Sequence, residues 1–206
     1  MEGRLVIHAG ATHVEGRAIA FIGKSGLGKS TLTASFDQSG YPLMGDDALV
    51  IHWLGDIAAA EATYKSLRLL PDSLHEIFLE PPEHSPAAHY TPKQRVNMSQ
   101  TAQMVYSPME LTALFFLAQP SMREEIRIAP VKPAEACMAL VANSFALNPT
   151  DRICAEMRFN EASKLANSIP AFEIIYPRNY KDLPRVREAI LRQVNDCRST
   201  ARTALR

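Results

Sequence analysis

The sequence predicts an α/β fold, and three observations carry that expectation. Strand-like and helix-like stretches alternate along the chain. Residues 18–22 (AIAFI) form a continuous apolar run, the pattern of a central strand covered on both faces. That run passes straight into a glycine-rich stretch, GKSGLGKST at 23–31, which opens a helical pattern.

Residues 4–8 read as a short strand, and residues 14–17 as a turn in which Gly16 can take positive φ. The strand at 18–22 follows. A helix is predicted over 29–39, with Leu32 and Phe36 four apart on one face and Gly40 as its stop. Residues 41–44 lead into Gly45-Asp46-Asp47, and 48–54 (ALVIHWL) is another strand. Six of the fourteen prolines fall within 71–108, which predicts a loop-rich segment with short elements. Strands are expected at 111–118, 125–129 and 171–176. Helices are expected at 133–146, where a proline occupies the first turn, and at 150–168 and 183–198. The chain is therefore expected to be one domain: a core at 4–55, the loop-rich segment 71–108, and a C-terminal α/β part at 109–198.

Composition narrows the function classes. Of 206 residues, 47% are hydrophobic and 21% charged, and the formal net charge is +0. No overall field draws in nucleic acid or an anionic membrane, so neither is expected as a partner. The basic C-terminus (Arg198, Arg202, Arg206) reads as a frayed helix end. Cys137, Cys154 and Cys197 form no C-x-x-C pair, so neither a zinc site nor a disulfide framework is expected. With no signal-like apolar run at the N-terminus, reduced thiols and a cytoplasmic location are expected.

The chemistry concentrates at 23–31, which matches G-x-x-x-x-G-K-[ST] without a gap. The backbone amides of Gly23, Lys24, Ser25, Gly26, Leu27 and Gly28 can converge on phosphate oxygens, because glycine permits close approach and unusual φ. The helix beginning near Lys29 adds its positive end. Lys29 can reach the β- and γ-phosphates, Ser30 can give a hydroxyl to Mg²⁺, and Thr31 completes the cofactor-binding set. Asp46 and Asp47 follow 17 and 18 residues after the lysine. Two adjacent carboxylates at a strand end can divide the work: one accepts a proton from a hydroxyl, the other holds Mg²⁺. His8 ends the first strand and can pair with an aspartate. His52, His75, His84 and His89 show no metal-ligand spacing, and Trp53 reads as core or rim packing.

The stretch IHAGATHVEGRAIAFIGKSGLGKSTLTASFDQSGYPLMGDD resembles the catalytic core of HPr kinase/phosphorylase. His8, Gly23, Ser25, Gly26, Gly28, Lys29, Ser30, Asp46 and Asp47 fall in register with that family's pattern. The resemblance covers about a quarter of the chain. It implies a P-loop fold of the HPr kinase/PEP carboxykinase type, a mixed central sheet with flanking helices. It also implies that Asp46 is the base on an acceptor serine with His8 supporting it, that Ser30 and Asp47 serve the metal, and that ATP and Mg²⁺ are the cofactors. The HPr enzymes have a separate N-terminal domain and a metal-binding glutamate segment that this sequence does not match. The stretch YKSLRLLP at 64–71, the run Pro92-Lys93-Gln94-Arg95 and the apolar run from Leu111 resemble, more loosely, the HPr-kinase-like proteins of ribosomally made peptides, including lasso-peptide kinases.

What the resemblance implies is a Mg²⁺- and ATP-dependent serine kinase acting on a peptide or small protein such as a lasso precursor. Arg68, Lys93 and Arg95 are the candidates for holding phosphates or an acidic peptide end. The alternatives are an HPr kinase/phosphorylase, a small-molecule kinase, or a nucleotide-binding switch that transfers nothing to protein. The related enzymes also point to a homo-oligomer.

Overall fold

The computed structural model describes residues 4–63, 66–98, 108–119, 125–146 and 150–204. Residues 64–65 of the YKSLRLLP stretch, 99–107 of the proline-rich segment, and Arg206 lie outside the described residues.

The fold is mixed α/β, with a central mixed sheet flanked by helices. Strand β1 is Val6–Ile7, β2 Ala9–Val14, β3 Arg17–Ile22, β4 Leu43–Gly45, β5 Leu49–Leu54, β6 Ile57–Ala62, β10 Met109–Leu117, β11 Arg127–Pro130 and β12 Ala171–Ile175. Among the described residues these nine form one sheet, whose main path runs β1-β5-β6-β10-β3-β2-β4. β10 is its spine. It runs parallel to β3 and to β12, and its first residues pair antiparallel with β6. Such a strand is buried on both faces, which is why LTALFFL reads as apolar sequence interrupted only by Thr112. A smaller antiparallel sheet, order β7-β9-β8, is built from β7 Ser66–Leu69, β8 His84–Ala88 and β9 Thr91–Asn97.

Helix α1 (Lys29–Asp37) lies against the large sheet, with Leu32 and Phe36 fully buried beside Phe21. Helix α2 (Pro71–Ile77) and the small sheet share a separate apolar cluster with α1 and β4, in which Leu67, Leu69, Leu74 and Val96 meet Ala34 and Leu43. Helices α3 (Pro133–Ala142) and α4 (Arg152–Ser168) cover one side. Helix α5 (Leu183–Ala204) packs through Val186 and Ile190 beside Phe115 and Phe172. Among the described residues, no helix is long and apolar enough to cross a membrane.

Several elements differ from expectation for physical reasons. The predicted helix 133–146 stops at Ala142, because the Asn143 side chain turns back to donate to the Ala139 carbonyl (2.8 Å). The Phe145 amide then donates to the Val6 carbonyl (2.9 Å), drawing the chain to the edge of β1. The proline-rich segment holds α2, β8 and β9, short elements ordered by the cluster beneath them. The last helix continues past 198 to Ala204, and Arg198 is ion-paired with Glu15.

Strand β2 (AGATHV) positions the site, and Gly10 is its tightest point. A Cβ there would sit 2.5 Å from Thr33 Oγ1, on the face where α1 crosses β2. The Thr33 hydroxyl is tied down by donation to the Lys29 carbonyl (2.9 Å). Gly10→Val is therefore expected to push α1 outward and to cost about 1–3 kcal/mol, as overpacking does. A shift of the urea midpoint without a change of slope measures it, and an unchanged midpoint contradicts the packing reading.

Candidate functional site

Residues 23–28 carry the chain from the end of β3 to the start of α1. Gly26 and Gly28 have φ of 85° and 86°, in the left-handed region where glycine carries no Cβ penalty. Gly28 caps the helix, and a side chain there would meet Arg178 Nη1 at 2.2 Å and Tyr176 Oη at 3.1 Å. Glycine is thus required at 28 by backbone conformation and by space.

Lys29 is the first residue of α1 and is 5% exposed. Its ammonium folds over the loop, donating to the carbonyls of Gly23 (2.6 Å) and Lys24 (3.2 Å). Burial lowers its pKa to about 8, against the attraction of Asp46, with Lys93 lowering it further. Above that pH the free lysine is largely neutral, and a bound phosphate must draw a proton onto it. Affinity for a phosphate anion is therefore expected to fall as pH rises from about 8 toward lysine's ordinary value of 10.5. Calorimetry in two buffers of different ionisation enthalpy should show proton uptake on binding near pH 9; binding with no uptake contradicts it.

The two aspartates follow β4 directly and face different surroundings. Asp46 is 2% exposed. Its Oδ2 accepts from the Arg68 backbone amide (3.2 Å). Burial pushes its carboxyl above the ordinary range, partly offset by the nearby Ser30 hydroxyl and by the Arg68 amide. Asp47 is half-buried and has φ of 86°, which a non-glycine residue adopts at a cost of roughly 1–2 kcal/mol. Three contacts hold it there. The Arg68 guanidinium pairs with its carboxylate, His8 Nδ1 lies 2.8 Å from its backbone carbonyl, and the same nitrogen is 3.7 Å from Oδ1.

His8 therefore meets Asp47 rather than Asp46. The register explains this: β1 pairs with β5 as Val6↔Val50 and Ile7↔Leu49, so the next step of each strand end brings His8 beside the residues just before β5. Ser30 lies near enough to Asp46 to act on its carboxyl.

Arg68, Lys93 and Arg95 fall on one face of the small sheet. Arg68 and Arg95 are direct cross-strand partners, and Lys93 lies two residues from Arg95. Arg68 holds both aspartates, one by its backbone and one by its guanidinium. Lys93 is near enough to act on the charges of both Lys29 and Asp46. Arg95 instead lines a separate cavity of about 230 Å³ with Ser66, Glu83, Ser85 and Asn97.

A second cavity, of about 300 Å³, opens on the other flank of the phosphate loop and includes Gly28, Thr31, Ser73, Tyr176, Arg178 and Tyr180. The Thr31 and Ser73 hydroxyls are 3.1 Å apart, as are those of Ser73 and Tyr180. Sequence reasoning missed Gly10, Ser73, Tyr176, Arg178 and Tyr180. No spacing rule links Arg178 to Gly28; only the parallel pairing of β12 with β10, and of β10 with β3, brings them together.

No family model matches the sequence, and no curated protein matches it. Among solved structures, the chain is similar to the Hpr(Ser) kinase/phosphatase from Coxiella burnetii. That match has a TM-score of 0.48 and 10% sequence identity, covering 97% of this chain and 95% of that one.

Proposed function

We propose that this protein is a Mg²⁺- and ATP-dependent serine kinase that moves the γ-phosphoryl group to a hydroxyl of a peptide or small protein. One observation carries the reading: a complete phosphate-loop motif whose lysine lies near a buried carboxylate, Asp46, with a second carboxylate next in sequence. Two adjacent carboxylates beside the loop can supply both a proton acceptor and a metal donor.

The loop amides and Lys29 hold the phosphates. Asp46, whose raised pKa makes it a stronger proton acceptor, takes the proton of the attacking serine. The oxygens of Ser30 and the two aspartates are hard donors of the kind that suit Mg²⁺. When bound there, Mg²⁺ would offset charge on the transferring phosphate. Asp47, with His8 behind it, sits at the more open side of the turn. Arg68 and Lys93 face the acceptor and favour an acidic segment beside its serine. A second reading exchanges the two carboxylates. The nearness of Ser30 to Asp46 favours it: Asp46 would share the metal with Ser30, and Asp47 would be the base.

The test is a transfer assay. Protein, Mg²⁺ and γ-labelled ATP are offered HPr, leader-bearing precursor peptides, other serine peptides and free serine, and products are read by mass spectrometry. Label on a peptide serine is the expected result. Label only on a free small molecule, or on nothing while ATP binds tightly, contradicts the protein-kinase reading and leaves a small-molecule kinase or a switch.

A further inference from the structure

The cavity on the Tyr180 flank of the phosphate loop contains none of the acid-pair residues: His8, Asp46, Asp47 and Arg68 all lie elsewhere. A nucleoside triphosphate whose terminal phosphate reaches Ser30 and Asp46 must lead its other end away from them. Gly28 and Thr31 border both regions, since they flank Lys29 and Ser30 in the chain and also line this cavity.

Arg178 marks the path. Its guanidinium lies over Gly28, at the positive end of α1, and rests against the Tyr176 ring at 4.9 Å. Among the described residues no carboxylate pairs with it. Arg178 is exposed, and a guanidinium beside the positive end of a helix adds a charged donor for an incoming anion. Beyond it the cavity has apolar walls, from Leu27, Leu70 and Tyr176, and a line of hydroxyls joining Thr31, Ser73 and Tyr180. Apolar faces with a few convergent polar groups suit a flat aromatic ring and a sugar. The volume of about 300 Å³ is at the lower end of ligand clefts, which span about 300–1,000 Å³.

We propose that this cavity seats the base and ribose of the bound nucleoside triphosphate, and that Arg178 lies on its phosphates. The inference rests on the nucleotide reading of the loop, so the test separates the two. Leu70 and Gln119 border the cavity and are exposed, so tryptophan at either fills it from the rim without entering the core. Calorimetric titrations use Mg·ATP and inorganic tripolyphosphate, which carries the phosphates without the nucleoside. Leu70→Trp and Gln119→Trp should each weaken ATP by about ten-fold or more and leave tripolyphosphate unchanged. Arg178→Gln should weaken both probes by about ten-fold, the loss of one charged hydrogen bond. Circular dichroism checks folding, and if one tryptophan variant misfolds the other is read alone. Unchanged ATP affinity in the folded tryptophan variants overturns the cavity assignment while the loop assignment stands. Equal weakening of both probes by those variants overturns it too. If the wild type binds neither probe, the nucleotide reading fails and takes this one with it.

Discussion

Asp46→Asn is expected to leave ATP binding nearly intact and to reduce phosphoryl transfer by about 10²–10⁴-fold, the range that a positioned general base supplies. Asparagine keeps the shape and can still accept from the Arg68 amide, so the turn and the small sheet should stay in place. It cannot take a proton from the acceptor. The comparison is made at saturating nucleotide, so that any change in affinity is removed from the rate. Under the exchanged assignment the variant behaves differently. Its demand for Mg²⁺ rises, excess metal restores part of the rate, and Asp47→Asn becomes the dead variant. An Asp46→Asn protein that transfers as fast as wild type at ordinary Mg²⁺ removes Asp46 from both roles.

Lys29→Met is the second large effect. Methionine fills much of the buried volume but carries no charge. The wild-type ammonium is held by two loop carbonyls in a desolvated position, where an electrostatic interaction is strong. Charge that grows on the transferring phosphate loses its partner, and removal of such a group costs about 10²–10³-fold in rate. Affinity is expected to fall as well, since the proposed function has the ground-state phosphates use this cation. A decline in transfer with unchanged ATP affinity would place Lys29 at the transition state alone. No decline in either quantity would show that the loop holds no phosphate.

The parts of this molecule that were legible in sequence obey local rules. The strand–loop–helix unit at 17–37 is set by an apolar run, glycines with φ near 86° at 26 and 28, and a helix that begins at the lysine. The central strand β10 declares itself by length and by the apolar run 113–117. Strands β2 and β6 do not. AGATHV and IAAAEA lack β-branched density, and alanine favours helix when read alone. They are strands because neighbours on both sides pair with them: β3 and β4 for β2, β5 and β10 for β6.

The site divides the same way. The loop and the aspartate pair could be read from spacing. Which aspartate meets His8 could not, because that depends on the register of β1 against β5 and on the turn at Asp47. Arg68 was singled out as a cation for phosphates or an acidic peptide end. Its contacts to both aspartates could not be read from spacing, because they arise only where β7 lies beside the acid turn. Arg178 was invisible, since its position over Gly28 exists only once β12 is laid against β10.

The central claim is that ATP turnover and serine phosphorylation are one event at the Asp46 turn. The measurement that tests it most directly counts two products in a single reaction: ADP released and phosphoserine formed on the acceptor that labels best. The account predicts equal amounts of each throughout the time course. ADP accumulating with inorganic phosphate, and no phosphoserine, would contradict it.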